Sequence, residues 1–202
     1  MRSIMEKYGK LPLISGVLVL MNVVVFLLCL LTGDRLYVMG RVSVFETIMN
    51  KEFSRLLWAM FLHGDVNHLF NNMLILSFLG EIIEKEIGHI PYLLIYLLSG
   101  VGGNLSSLLF KMISDDWSVS IGASGAVFGL DGVLLALVLF AGREIPTVTP
   151  VRVVLMIVLS LYNGFTGMNI DNAAHVGGLI TGFVLGAVLC VIQRRMREEN
   201  KE

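Results

Sequence analysis

The chain has 202 residues, 55% of them hydrophobic and only 15% charged, with a net charge of −1. A soluble domain carries about 25% charged residues to cover its core, so this composition excludes a soluble globular protein. No basic stripe runs along the sequence, which also excludes a nucleic-acid binder.

A bilayer core takes ~20 apolar helical residues per crossing. Residues 11–31, 91–110, 153–170 and 172–193 carry no charge at all. Two further stretches are weaker. Residues 66–80 are short and hold His68, Asn71 and Asn72, and residues 117–142 are interrupted by Asp131. Leaving either in water would expose Leu, Ile and Phe without a partner, so both are read as spans. The expectation is an all-α polytopic membrane protein, one domain over 1–202, with six spans near 11–31, 66–84, 91–110, 120–142, 150–168 and 172–193. The first span is too long for a signal-peptide core, and no small-residue cleavage site follows it. Between spans one and two lies a long first loop, about 32–62, whose Phe45, Ile48, Met49, Leu56 and Leu57 predict an interfacial position. Cys29 and Cys190 fall near opposite faces in this topology, too far apart for a disulfide.

Orientation follows from the lysines and arginines. With a cytoplasmic N-terminus the inner side collects Arg2, Lys7, Lys10, Lys85, Arg143, Arg152, Arg194, Arg195, Arg197 and Lys201, ten in all. The outer side holds five, namely Arg35, Arg41, Lys51, Arg55 and Lys111. The excess favours both termini inside the cell membrane.

Polar groups within spans are expensive and mark function. Spans two, four and six then all run from outside to inside. His68 and Asn72 open the second, Ser124 the fourth and His175 the sixth, so four polar groups from three helices meet at one depth near the outer face. A serine hydroxyl becomes a nucleophile when a neutral imidazole takes its proton. Gly122-Ala123-Ser124-Gly125 surrounds the serine with small residues that admit a scissile backbone. Gly125, Gly129 and Gly132 in span four and Gly178, Gly182 and Gly186 in span six form stripes that let two backbones approach. Asn72 and His68, on one helical face, can donate hydrogen bonds to a developing oxyanion.

His63-x4-His68-x3-Asn72, the run Gly122-Ala123-Ser124-Gly125-Ala126-Val127-Phe128-Gly129, and Ala174-His175-x2-Gly178 resemble the three signature motifs of rhomboid proteases, in the family's order. Arg55 in the first loop and Leu79-Gly80-x3-Glu84-x3-Gly88 match as well. The resemblance implies a Ser–His dyad with Ser124 as nucleophile and His175 as base and then acid. It implies an oxyanion hole from His68, Asn72 and the Ser124 backbone N–H, and an aromatic ring, Phe128, beside the histidine. Arg55 and Glu84 are read as structural anchors. The implied reaction cuts transmembrane protein substrates near their outer ends, in membrane lipid, without metal or cofactor. The chain departs from the family in Ser54, where a tryptophan often precedes the arginine, and in Asp131, at a position that is usually apolar.

Other readings stand beside this one. Asp171, four residues before His175, is either the N-cap of span six or a third member orienting the imidazole. His63 and His89 are expected at interfaces, in contact with water. Asp131 lies too deep to orient His175 and is expected as a neutral acid bonded to Thr181 or Ser77, or as a polar floor holding water. A zinc protease is disfavoured because no His-Glu-x-x-His occurs. An inactive rhomboid relative that binds membrane proteins and a small transporter are the rival functions. The transporter predicts polar groups spread across the membrane and paired repeats, whereas here they cluster at one end.

Overall fold

A computed structural model describes residues 11–141, 148–166 and 170–199. Helix α1 spans Leu13–Thr32 and ends at Gly33, whose φ of 63° is a left-handed conformation suited to glycine. A short α2, Arg35–Gly40, leads to a wide helical turn at Val44–Met49, started by Ser43, whose Oγ accepts the Glu46 N–H at 3.1 Å. Helix α3, Arg55–Trp58, tightens into a 3₁₀ turn at Ala59–Phe61. Asp65 caps α4, Val66–Ile87, by accepting the His68 N–H at 2.9 Å. Gly88, at φ 89°, separates it from α5, His89–Ser114. Helices α6, Ser124–Phe140, α7, Pro150–Thr166, and α8, Asn172–Glu199, complete the order. Span ends expected at 142 and at 167–168, and the cations Arg2, Lys7, Lys10, Arg143 and Lys201, lie outside the described residues.

Among the described residues four helices are long and apolar enough to cross a membrane: Leu13–Thr32, Val66–Ile87, His89–Ser114 and the Asn172–Met196 part of α8. Shorter apolar helices cover Ser124–Phe140 and Pro150–Tyr162. Their outward faces carry Leu20, Leu27, Leu74, Phe78, Leu98, Leu109, Leu155 and Val188, all exposed. An apolar belt of this extent is the surface of a protein that sits in lipid.

Helix α6 is the axis of the bundle. Every residue from Gly125 to Leu134 is buried, as a helix apolar on all sides must be. It packs chiefly against α8 and α5. The glycine stripes explain how closely. A Cβ at Gly178 would run into the Gly125 carbonyl, and one at Gly182 into the Gly129 carbonyl. Only hydrogen fits at these contacts, so the α6–α8 register is fixed by backbone touching backbone. The core is completed by Leu76, Leu79, Ile83, Tyr92, Tyr96 and Leu130.

The first loop is tied down at several points. Arg55 is buried and donates to the carbonyls of Val38 at 2.7 Å and Arg41 at 3.2 Å, while pairing with Glu52. Asn104 of α5 donates to the Leu56 carbonyl at 2.7 Å. Phe45, Met49 and Leu57 face outward as an interfacial loop requires, but Leu56 faces inward at 9% exposure and joins a small core with Val42, Val44 and Leu108. At the opposite end of the bundle Glu84 accepts the backbone N–H groups of Ile14 and Ser15, each at 2.8 Å, and the Ser15 hydroxyl at 2.6 Å. A carboxylate from α4 thus satisfies the orphan donors that open α1. His89, expected in water, is partly exposed and its ring contacts this same carboxylate.

Candidate active site

Ser124 is the first residue of α6 and His175 lies in the first turn of α8. His175 Nε2 and Ser124 Oγ are 2.9 Å apart. The Phe128 ring, one turn along α6, stacks on the imidazole with centroids 4.2 Å apart and planes 13° from parallel. That contact fixes the plane of the ring, and the glycine register fixes its height. His175 is buried, and its Nδ1 has no partner among the described residues. Among the described residues no carboxylate therefore bonds the imidazole, and the triad reading of Asp171 finds no hydrogen bond to rest on. Asp171 instead caps α8: its Oδ1 accepts the Ala174 N–H at 3.0 Å, and its carbonyl accepts the His175 N–H at 3.2 Å.

The segment leading into Ser124 is extended and is tied to the first loop by backbone hydrogen bonds. Ser120 and Val42 exchange two hydrogen bonds, at 3.0 and 2.9 Å, and the Gly122 N–H donates to the Ala59 carbonyl at 2.9 Å. Irregular backbone at membrane depth survives only where protein or a water-filled cavity covers it. Gly122 has φ 123°, and a Cβ there would meet the His68 ring at 2.8 Å. The glycine is needed both for its backbone conformation and to let His68 lie against the approach to Ser124.

His68 is half-buried, and Asn72 is buried one turn further along α4. One N–H of the Asn72 amide donates to the His68 carbonyl at 2.9 Å, within its own helix. An amide nitrogen carries two N–H groups, so this bond uses one of them and leaves the second unused by it. His63, expected in contact with water, is fully buried with neither ring nitrogen paired, edge-on to His68 at 4.9 Å. Burial, with His68 adding to it, pushes its pKa down to about 4. The cause of the mismatch is local: the 3₁₀ turn and the Tyr37 hydroxyl, which donates to the His63 carbonyl, fold the residue under α2.

Asp131 is buried at 3% exposure with an unpaired Oδ1, and neither expected partner reaches it. Thr181 donates to the Gly177 carbonyl at 2.8 Å, and Ser77 is exposed on α4 and donates to the Met73 carbonyl at 2.7 Å. Both hydroxyls are satisfied by their own helices.

The sequence reading missed a buried polar cluster behind the site. Lys111 and Ser107 of α5 and Ser120 converge on Asp171. Lys111 Nζ lies 3.6 Å from Asp171 Oδ2. Burial alone would raise the Asp171 pKa, but hydrogen bonds from Ser107, Ser120 and the Ala174 N–H, and the Lys111 charge, hold it below the usual carboxylate value. The available signal was the spacing: Ser120 precedes Ser124 by four, as Asp171 precedes His175. Among the described residues no group of three or more His, Cys, Asp or Glu side chains could hold a metal ion.

Fold and site together define a multi-pass helical membrane protein with a hydrogen-bonded serine and histidine where two of its inner helices begin. Residues 50–192 match the family model for the Rhomboid domain. The chain is 43% identical to RHOMBOID-like protein 4 of Arabidopsis thaliana, over 77% of this chain and 39% of that protein. It is 37% identical to Rhomboid protease GluP of Bacillus subtilis over 70% of this chain and 27% of that one, and 32% identical to the Putative rhomboid protease YdcA of the same organism over 74% and 73%. The chain belongs to the rhomboid family, although it spans less than half the length of the first two of these relatives. Membership supports intramembrane protease activity in general.

Proposed function

We propose that the chain is an intramembrane serine endopeptidase that hydrolyses peptide bonds in or near transmembrane segments of membrane-protein substrates, through a dyad of Ser124 and His175. The 2.9 Å separation of Ser124 Oγ and His175 Nε2 carries this reading. In it the site faces the outer side of the cell membrane, both termini are cytoplasmic, and the partners are membrane lipid and transmembrane substrates.

The chemistry balances with these groups alone. Neutral His175 takes the Ser124 proton as Oγ attacks the scissile carbonyl carbon. The carbonyl oxygen becomes an oxyanion. Its donors are the Ser124 backbone N–H, an orphan at the start of α6, the second Asn72 N–H and the His68 ring. The imidazolium then gives its proton to the amide nitrogen, the C–N bond breaks, and an ester remains on Ser124. Water surrenders a proton to His175, attacks the ester and releases the carboxylic acid, and the proton returns to Ser124. Phe128 keeps the imidazole in plane through both transfers.

A fluorophosphonate probe is expected to label Ser124 in the wild type, with cleavage of a membrane-embedded reporter. Ser124→Ala is expected to lose both while folding normally, since one hydroxyl at a helix end removes little packing. His175→Ala is expected to be as damaging, because the pair acts as a unit. Labelling that persists in Ser124→Ala would put the nucleophile elsewhere.

A further inference from the structure

The cluster of Lys111, Ser107, Ser120 and Asp171 lies outside the groups that the proposed reaction uses, yet it joins the two segments that carry them. We propose that it is a positioning clamp, which holds the Ser124 segment and the His175 helix against one point on α5 and so sets the distance between Ser124 and His175. The proposal rests on the protease reading above.

Four observations carry it. Ser107 and Ser120 both donate to Asp171 Oδ2, Lys111 Nζ donates to Ser120 Oγ, and the two serine oxygens are 3.1 Å apart. One carboxylate oxygen therefore gathers side chains from α5 and from the strand-like approach to α6, while the other holds the first turn of α8 through the Ala174 N–H. Secondly, the arrangement has a repeat built into it. Ser120 and Asp171 each stand four residues before a proposed reacting group, so tethering them to each other tethers Ser124 to His175.

Thirdly, the cluster is costly as a plain stabiliser. Lys111 is 5% exposed, Ser107 0% and Ser120 6%. Lysine is almost never buried unless paired, and a buried ion pair often stabilises no more than apolar residues of the same volume. The best-attested return on such a pair is register, here that of two helix ends. Fourthly, the His175 imidazole has no partner on Nδ1 among the described residues. Phe128 sets the plane of the ring but no hydrogen bond on Nδ1 sets its position, so the ring goes where the first turn of α8 goes, and that turn is held by Asp171. Below it Gly103 of α5 brings its backbone against the Ala174 carbonyl and the Gly125 Cα, so α5, α6 and α8 share one fulcrum directly under the clamp.

The test uses the full chain in detergent and follows three readouts for each variant: fluorophosphonate labelling rate, kcat and KM on a membrane-embedded reporter, and thermal midpoint. Ser120→Ala removes the hub and leaves the Lys111–Asp171 pair in place, so it keeps the fold even if a charge-removing variant does not. Asp171→Asn keeps the cap to Ala174 and removes the charge, and Lys111→Met does the same from the other side. Each is expected to lower kcat and labelling rate together, by ~10–100-fold, since sub-ångström to 1 Å misplacement of reacting groups costs that much. KM is expected to stay within about twofold, and the Lys111→Met, Asp171→Asn double variant to lose no more than the worse single one, as members of one unit do. Labelling per folded molecule equal to wild type in Ser120→Ala and Asp171→Asn would overturn the clamp, as would a loss confined to KM. A wild type that is not labelled at Ser124 would overturn the protease reading and the clamp with it, so the two failures are told apart by the wild-type lane.

Discussion

Two carboxylates close helix starts at opposite ends of this bundle, the inner and the outer end in the proposed orientation, and they do it differently. At the inner end Glu84 reaches across from α4 and takes the Ile14 and Ser15 N–H groups, with the Ser15 hydroxyl and the His89 ring around it. It fastens one helix. At the outer end Asp171 caps its own helix and also collects Ser107, Ser120 and Lys111. It brings separate segments to a common point. A cap of the first kind sets stability, whereas one of the second kind, on the clamp proposal, also sets geometry, and the proposed reacting groups lie at the Asp171 end.

That contrast can be broken or sharpened by experiment. The largest effect is expected at the outer end from Asn72→Ala, which removes a proposed oxyanion donor. It should lower kcat by ~10²–10³ with little change in KM or thermal midpoint. A change in KM alone would move Asn72 to substrate binding. Next is His63, which separates stability from chemistry within the outer end. Its folded pKa of about 4 lies below the unfolded ~6.5, so the unfolded chain takes up the proton first. The associated stability is full above pH 6.5 and shrinks as pH falls towards 4, by about 3 kcal/mol at 1.36 kcal/mol per unit. Thermal midpoints across that range should fall less steeply in His63→Asn than in the wild type, and parallel slopes would refute the assignment.

Glu84→Ala, at the inner end, should cost ~2 kcal/mol of stability by stranding two backbone donors. Turnover per folded molecule should stay at the wild-type level. Activity lost with the fold intact would erase the distinction between the two ends. The smallest effect is expected midway between them. Asp131 is buried with no partner on Oδ1, and Asn has the same shape without a charge to bury. Asp131→Asn should therefore leave thermal midpoint and kcat within about twofold of wild type. A ten-fold drop in kcat would give the residue a part in supplying water.

The sequence made the helical spans and the meeting of Ser124 with His175 legible, because charge-free runs and helix direction together fix which residues start at the same face. Glycine spacing also told which two helices would touch. Rotation about each helix axis was harder to read. Ser77 was assigned inward and faces out, since a short polar residue bonded to its own i−4 carbonyl carries no signature of its side. His63 was expected in water because it lies between helices, but a 3₁₀ turn folds it inward. Lys111 read as an outer-loop charge, which is what a cation just past an apolar run ordinarily is. Its partners Ser120 and Asp171 come from two other parts of the chain, and only the packing of the segments brings them into reach.

Helix α6 has 17 residues, a length of about 25 Å at 1.5 Å per residue, against a hydrocarbon core of ~30 Å. A lipid-facing helix that short would have to thin the bilayer around it. Buried from Gly125 to Leu134, α6 is shielded from that demand, and its neighbours carry the mismatch instead. The level of Ser124 is thus set by the protein's own frame and not by the thickness of the surrounding membrane. In a thicker or thinner bilayer Ser124 keeps its place in that frame, while a free substrate helix rises or sinks to match the lipid. On the protease reading proposed above, which peptide bond arrives opposite Ser124 becomes a property of the membrane as much as of the substrate.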